Sequence, residues 1–134
     1  MKKLITFASA LIILGILLTG CNIGSIMPNV ITDSVGFNRT SWTIQGTGSG
    51  NKTQNFTLNE EDLDNVSASV QFVGGSAKLI VTQGTLSRTT ELSGSGITQG
   101  TIQINMESFT AEEQLTMRVE IKDITGGQTT ISWR

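Results

Sequence analysis

The chain has 134 residues, a formal net charge of −2 and a single cysteine, and it contains neither histidine nor tyrosine. Without histidine, the Ser-His-Asp and Cys-His catalytic systems and histidine-based metal sites cannot be built, and one cysteine cannot form an intramolecular disulfide. No cluster of lysine and arginine is present to neutralise phosphates, which argues against nucleic acid as a partner.

Residues 1–20 have the layout of a secretory signal. Lys2 and Lys3 precede an apolar run from Leu4 to Leu18, and small residues follow it. The run is shorter than the roughly 20 apolar residues that a membrane-spanning helix needs. We therefore predict a helical signal segment over 1–20 that is removed, and the loss of its two lysines would change the net charge from −2 to −4.

The segment Leu18-Thr19-Gly20-Cys21 closes this run and resembles the lipobox of bacterial lipoproteins. The resemblance implies a diacylglyceryl group on the sulfur of Cys21 and cleavage between Gly20 and Cys21. Acyl chains such as palmitate would then hold the protein on the extracytoplasmic face of the cell membrane. A Gram-positive surface is favoured, and an inner or outer membrane is the alternative in a two-membrane envelope. From the residues alone, an ordinary secretory signal with an unrelated cysteine is the other interpretation.

Residues 21–38 contain the only proline, Pro28, and show no sustained hydrophobic period. We interpret this range as a lipid-anchored tether, followed by one folded domain over 39–134. The tether is more apolar than a Gly/Ser linker, which favours docking of part of it on the domain or its addition as an edge strand.

From Thr40 to the end, apolar and polar residues alternate with a period of two, which is typical of half-buried strands. The clearest case is the stretch from Leu115 to Ile121. Similar but shorter alternations predict roughly eight strands and an all-β fold, an antiparallel β-sandwich of jelly-roll or immunoglobulin-like type. Gly74-Gly75 and Gly126-Gly127 are expected to form tight hairpins, and single helical turns are expected over 59–64 and 110–114.

The stretch from Phe56 to Arg134 combines a strand, a glycine pair, a second strand, a glycine-rich excursion and a final pair that ends at Trp133. In this order it resembles the small jelly-roll domains of the pre-peptidase C-terminal type. The resemblance implies an accessory domain without catalysis.

Carboxylates are the remaining candidates for a chemical site. The acidic run could supply oxygen ligands to calcium, although such runs are more often solvated turns; it consists of Glu60, Glu61, Asp62 and Asp64. The same residues, with Glu107, Glu112 and Glu113, offer the carboxylate pair that a glycosidase would need.

Trp42 and Trp133 could form a sugar-stacking platform, but each is in phase with an isoleucine, which places both in the core. We therefore expect a non-catalytic binding or structural module without a cofactor, with an envelope protein or a glycan as its partner. A carbohydrate- or peptidoglycan-binding surface module is the alternative, and a carboxylate-only hydrolase is a further one.

Overall fold

A computed structural model describes residues 29–94 and 96–134, and it confirms an all-β antiparallel sandwich. The expectations for residues 1–28, including the signal segment and the lipidation of Cys21, lie outside the described residues. The elements are β1 (Val30–Val35), β2 (Ser41–Thr57), α1 (Glu60–Asp64), β3 (Val66–Val73), β4 (Ser76–Gln83), β5 (Leu86–Ser93), β6 (Gln99–Gln103), β7 (Gln114–Ile124) and β8 (Gly126–Trp133).

The strands form one continuous antiparallel sheet in the order β5-β4-β7-β2-β8-β3-β6, with β1 paired to β2. This sheet folds into two packed halves. The first half contains β1, the beginning of β2, β8, β3 and β6. The second half contains the end of β2, β7, β4 and β5. The inward-facing side chains of both halves form a single hydrophobic core.

Strand β2 belongs to both halves because it folds back on itself. The rings of Trp42 and Phe56 lie near its two ends, yet their centroids are only 5.9 Å apart. The reversal occurs around Gly46 and Gly48: a Cβ at Gly46 would overlap the backbone of Val30, and Gly48 has a φ of +87°. The separate short strands that alternation predicts around Trp42 and around Phe56 are therefore one bent strand, since glycine permits both the close approach and the positive φ.

The sheet begins at Val30, inside the range 21–38 that was expected to be a tether. Strand β1 pairs with β2 from Val30 opposite Thr47 to Val35 opposite Trp42. Its half-buried residues alternate with exposed ones, and the partly buried Ile31 and Val35 pack against the core. The folded domain therefore starts before residue 39, because this alternation, although short, is sufficient for an edge strand.

The two predicted glycine hairpins are wrong. Strand β3 pairs with β6 and β8, whereas β4 pairs with β5 and β7, so Gly74-Gly75 carries the chain from one half of the sandwich to the other. Gly126-Gly127 likewise lies in β8, which does not pair with β7. The tight hairpin of the structure is instead Gly84-Thr85, between β4 and β5.

Of the two predicted helical turns, one is confirmed. Helix α1 begins after Asn59, whose side-chain oxygen accepts a hydrogen bond of 2.7 Å from the Asp62 backbone N–H. The second turn, over 110–114, is not helical. The backbone N–H of Thr110 donates to the side chain of Gln83, and the φ of Glu112 is +60°, which a right-handed helical turn does not contain.

The connections lie at two opposite ends of the sandwich. The entry end, where the described chain starts at Asn29, contains the reversal of β2, the connections 74–75 and 125, and Gly94 with residues 96–98. The far end contains the loop 36–40, the segment 58–65 with α1, the hairpin 84–85 and the connection 104–113.

Trp42 and Trp133 are at most 2% exposed, and Phe56 packs between them with its centroid 4.6 Å from that of Trp133. The expected core position of both tryptophans is confirmed, and neither is available for stacking on a sugar.

Candidate functional site

The far end contains a cleft of about 500 Å³ between α1 and the connection 104–113. We call it the acidic cleft. Its floor is apolar and almost fully buried, and its rim is polar. The lining residues are Glu60, Leu63, Asp64, Gln103, Ile104, Asn105, Met106, Glu107, Ser108, Phe109 and Ala111.

The wall formed by the connection 104–113 is held in place by hydrogen bonds to three other parts of the chain. The Ile104 N–H donates to the carbonyl of Val66, 3.0 Å away, and the Glu112 N–H donates to the carbonyl of Leu58 over 2.8 Å. Gln83 binds Thr110 twice: its side-chain oxygen accepts from the Thr110 N–H at 2.7 Å, and its amide donates to the Thr110 carbonyl at 2.9 Å. These hydrogen bonds fix the position of this wall of the cleft relative to the rest of the domain.

The seven carboxylates that the sequence predicts as candidate site residues do not lie together in the structure. Glu60, Asp64 and Glu107 line the acidic cleft, whereas Glu61, Asp62, Glu112 and Glu113 do not. The three lining side chains belong to exposed residues. Over residues 29–94 and 96–134, no three acidic, histidine or cysteine side chains converge in a way that could hold a metal ion. Glu60, Glu61 and Asp62 lie in the first turn of α1, and Asp64 is its last residue.

Chemically, the acidic cleft offers exposed hydrogen-bond acceptors above an apolar floor. Glu60, Asp64 and Glu107 lie in open contact with water. The arrangement is suited to recognition of a polar group.

A second polar cluster, which the sequence did not reveal, lies around Asp33 at the seam between β1 and the end of β2. One carboxylate oxygen accepts hydrogen bonds from the indole nitrogen of Trp42 at 3.0 Å and from the side-chain amide of Gln54 at 3.1 Å. The other oxygen lies 3.5 Å from the ammonium nitrogen of Lys52. The Asp33 side chain is only 16% exposed.

These contacts determine the charge state of Asp33. Partial burial raises the pKa of its carboxyl group, but the hydrogen bonds from Gln54 and Trp42 and the charge of Lys52 together outweigh burial, so the pKa lies below its ordinary value. Asp33 therefore satisfies the N–H of a fully buried tryptophan and ties the edge strand to the opposite half of the sandwich. The signal that could have identified it is Ile31-Thr32-Asp33-Ser34-Val35, where the alternation points the carboxylate inward.

No family model, curated protein or solved structure matches this chain. Within the described part, no helix is long and apolar enough to span a bilayer.

Proposed function

We propose that the protein is a lipid-anchored lipoprotein of the bacterial cell envelope whose β-sandwich acts as a non-catalytic binding or structural module. The observation that carries this proposal is the sequence Leu18-Thr19-Gly20-Cys21 directly after a basic start and a short apolar run. Each methylene group buried in a bilayer contributes about 0.8 kcal/mol, so two or more acyl chains on Cys21 give durable attachment where one gives only marginal binding.

The direction in which the chain enters the sandwich supports this placement. Asn29 lies at the entry end, and the path from Cys21 to Asn29 spans at most about 28 Å when fully extended. Seven of the eleven acidic residues lie at the far end, in α1 and the connection 104–113. An anchor at Cys21 would thus keep the entry end near the membrane and hold most of the negative charge away from anionic lipid headgroups, which repel it.

One observation supports a binding or structural role over catalysis. The carboxylates of the acidic cleft are exposed, which disfavours the carboxylate-only hydrolase.

Expression of the full chain in a bacterial host tests the anchor. We expect mass spectrometry of the membrane fraction to find a mature product that begins at Cys21 and carries a thioether-linked diacylglyceryl group. Cys21→Ser should abolish the modification and move the protein out of the membrane fraction, whereas the neighbouring change Asn22→Ser should leave both unchanged. An unmodified thiol, or a mature product that starts at another residue, would overturn the proposal.

A further inference from the structure

The outward face of the first half of the sandwich carries only serine, threonine and glutamine over three successive cross-strand rows. We call this surface the neutral face. From the entry end toward the far end, its rows are Thr32, Gln45, Gln128, Gln71 and Gln99; then Ser34, Thr43, Thr130, Ser69 and Thr101; then Ser41, Ser132, Ser67 and Gln103.

The strand registers place these side chains in a regular array. Each row runs across β1, β2, β8, β3 and β6 in that order, except that the third row starts at β2. With strands about 4.8 Å apart and alternate residues about 6.7 Å apart along a strand, the array measures roughly 19 Å by 13 Å. All four glutamines of the first row are exposed. The hydroxyl oxygens of Thr43 and Thr130 are 2.9 Å apart and bond to each other.

The outward face of the second half is different. It carries Lys78, Arg118 and Glu120, which form ion pairs of 3.0 Å and 2.9 Å, and also Glu91 and Lys122. Both faces are outer sheet surfaces of the same small domain, yet only one of them carries charged residues. The sandwich fold therefore does not by itself require an outer face without charge.

The side-chain composition of the neutral face favours some classes of partner over others. Nucleic acid is bound through cations, which the array lacks. Protein interfaces are enriched in aromatic residues, methionine and arginine and depleted in serine, whereas this array has none of the former and serine at five of its 14 positions. A lipid surface attracts apolar or basic side chains. An uncharged polyhydroxylated chain matches best, because hydroxyl and amide groups both donate and accept hydrogen bonds and no charge has to be desolvated.

We propose that the neutral face is a binding surface for an uncharged polysaccharide chain. The proposal rests on the proposed envelope placement for its biological context, since an anchored domain meets glycans of the envelope. Exposed hydrogen-bonding groups on a flat surface of this size give a weak complex. Many copies anchored on one membrane raise the overall affinity for a long polymer, because each further contact is made at high effective concentration.

Native affinity electrophoresis of the full mature chain in detergent tests the proposal. The probes are two uncharged polymers, hydroxyethylcellulose and N-acetylated glycol chitin, and one anionic polymer, polygalacturonate. We expect at least one uncharged polymer to retard the protein and polygalacturonate not to do so. Gln71→Glu and Gln128→Glu, each made singly, keep the shape of the side chain but add a charge to the array, and each should weaken the binding at least tenfold.

The matched control is Gln114→Glu, the same exchange at an exposed position on β7 in the second half of the sandwich. It should bind within twofold of the original chain, and thermal unfolding should show that all three variants are folded. Two results would overturn the proposal. One is that neither uncharged polymer retards the protein, and the other is that neither Gln71→Glu nor Gln128→Glu reduces the retardation. Mass spectrometry of the same preparation shows whether Cys21 carries lipid. A lipidated protein that binds neither uncharged polymer contradicts the neutral face as a binding surface but not the proposed anchor.

Discussion

Replacement of Asp33 by asparagine tests whether the edge strand β1 is tied to the sandwich through its carboxylate. The substituted side chain has nearly the same volume but one acceptor oxygen in place of two, and its amide is itself a donor. It faces three donors, on Trp42, Gln54 and Lys52. Trp42 and Gln54 share one carboxylate oxygen, so the asparagine oxygen can still accept from both, but without the negative charge, and the new amide turns a donor toward Lys52. The buried indole N–H of Trp42 cannot bond to water in compensation.

The magnitude follows from these contacts. A hydrogen bond to a charged acceptor contributes about 1.5–3 kcal/mol and one to a neutral acceptor about 0.5–1.5 kcal/mol, so the loss of the charge costs about 1 kcal/mol for each of the two bonds. The Lys52 ammonium is partly exposed, so its ion pair adds at most a few tenths of a kcal/mol. We expect Asp33→Asn to lower the free energy of unfolding at pH 7 by about 2–3 kcal/mol, measured by urea unfolding with tryptophan fluorescence. Glu91→Gln, an exposed carboxylate on β5, is the control and should change it by less than about 0.5 kcal/mol.

The pH dependence gives a sharper test of the same reasoning. The pKa of Asp33 is lowered in the folded state, so the carboxylate stabilises the fold fully above its unfolded pKa of about 4, and this contribution is lost as the pH falls through the lower folded value. Asparagine does not titrate. The stability difference between the two proteins should therefore shrink between pH 5 and pH 2. A difference that is absent at pH 7, or equally large at both ends of that range, would refute the assignment.

Three further changes probe the connections and the core. Gln83→Ala removes both hydrogen bonds to Thr110 and should lower the free energy of unfolding by about 1–2 kcal/mol, with faster hydrogen exchange at the Thr110 amide; unchanged exchange there would show that Gln83 does not hold the connection. Gly75→Ala should cost more than Gly84→Ala in thermal unfolding, because both glycines have a φ of +58° but a Cβ at Gly75 would also overlap the backbone of β7, and equal costs would contradict the close approach. Trp133→Ala should cost about 3–5 kcal/mol by urea unfolding, and a loss below about 1 kcal/mol would disprove its place in the core.

Much of the strand content follows from hydrophobic alternation alone. In β7 the four residues Leu115, Met117, Val119 and Ile121 are all buried, as their spacing predicts. Alternation fixes which face of a strand is buried, but it does not specify the neighbouring strand. For this reason Gly74-Gly75 looked like a hairpin, although each flanking strand pairs within a different half of the sandwich. Glycine pairs permit a sharp turn in either situation.

The candidate site was less predictable than the fold for a similar reason. The sequence identified every carboxylate of the acidic cleft, but it could not indicate that Glu107 joins Glu60 and Asp64 while Glu112 does not. That selection depends on the path of the connection 104–113, which Gln83 fixes from a distant strand. Asp33 was missed because a single inward-facing charge in a short apolar alternation looks like the end of a strand.

The neutral face and the core are determined by the same strand registers. Shifting β8 by one residue would move Gln128 and Thr130 into the interior and bring Ile131 and Trp133 to the surface, because successive side chains point to opposite faces. The burial of Ile131 and Trp133 therefore excludes that shift. Thr129, a polar residue in the interior, is accommodated because its hydroxyl donates to the carbonyl of Ser69 at 3.1 Å. Since the core already locks the alignment of the outer rows, substitutions on the neutral face can alter its chemistry while the fold stays intact, which is the condition that the polysaccharide experiment requires.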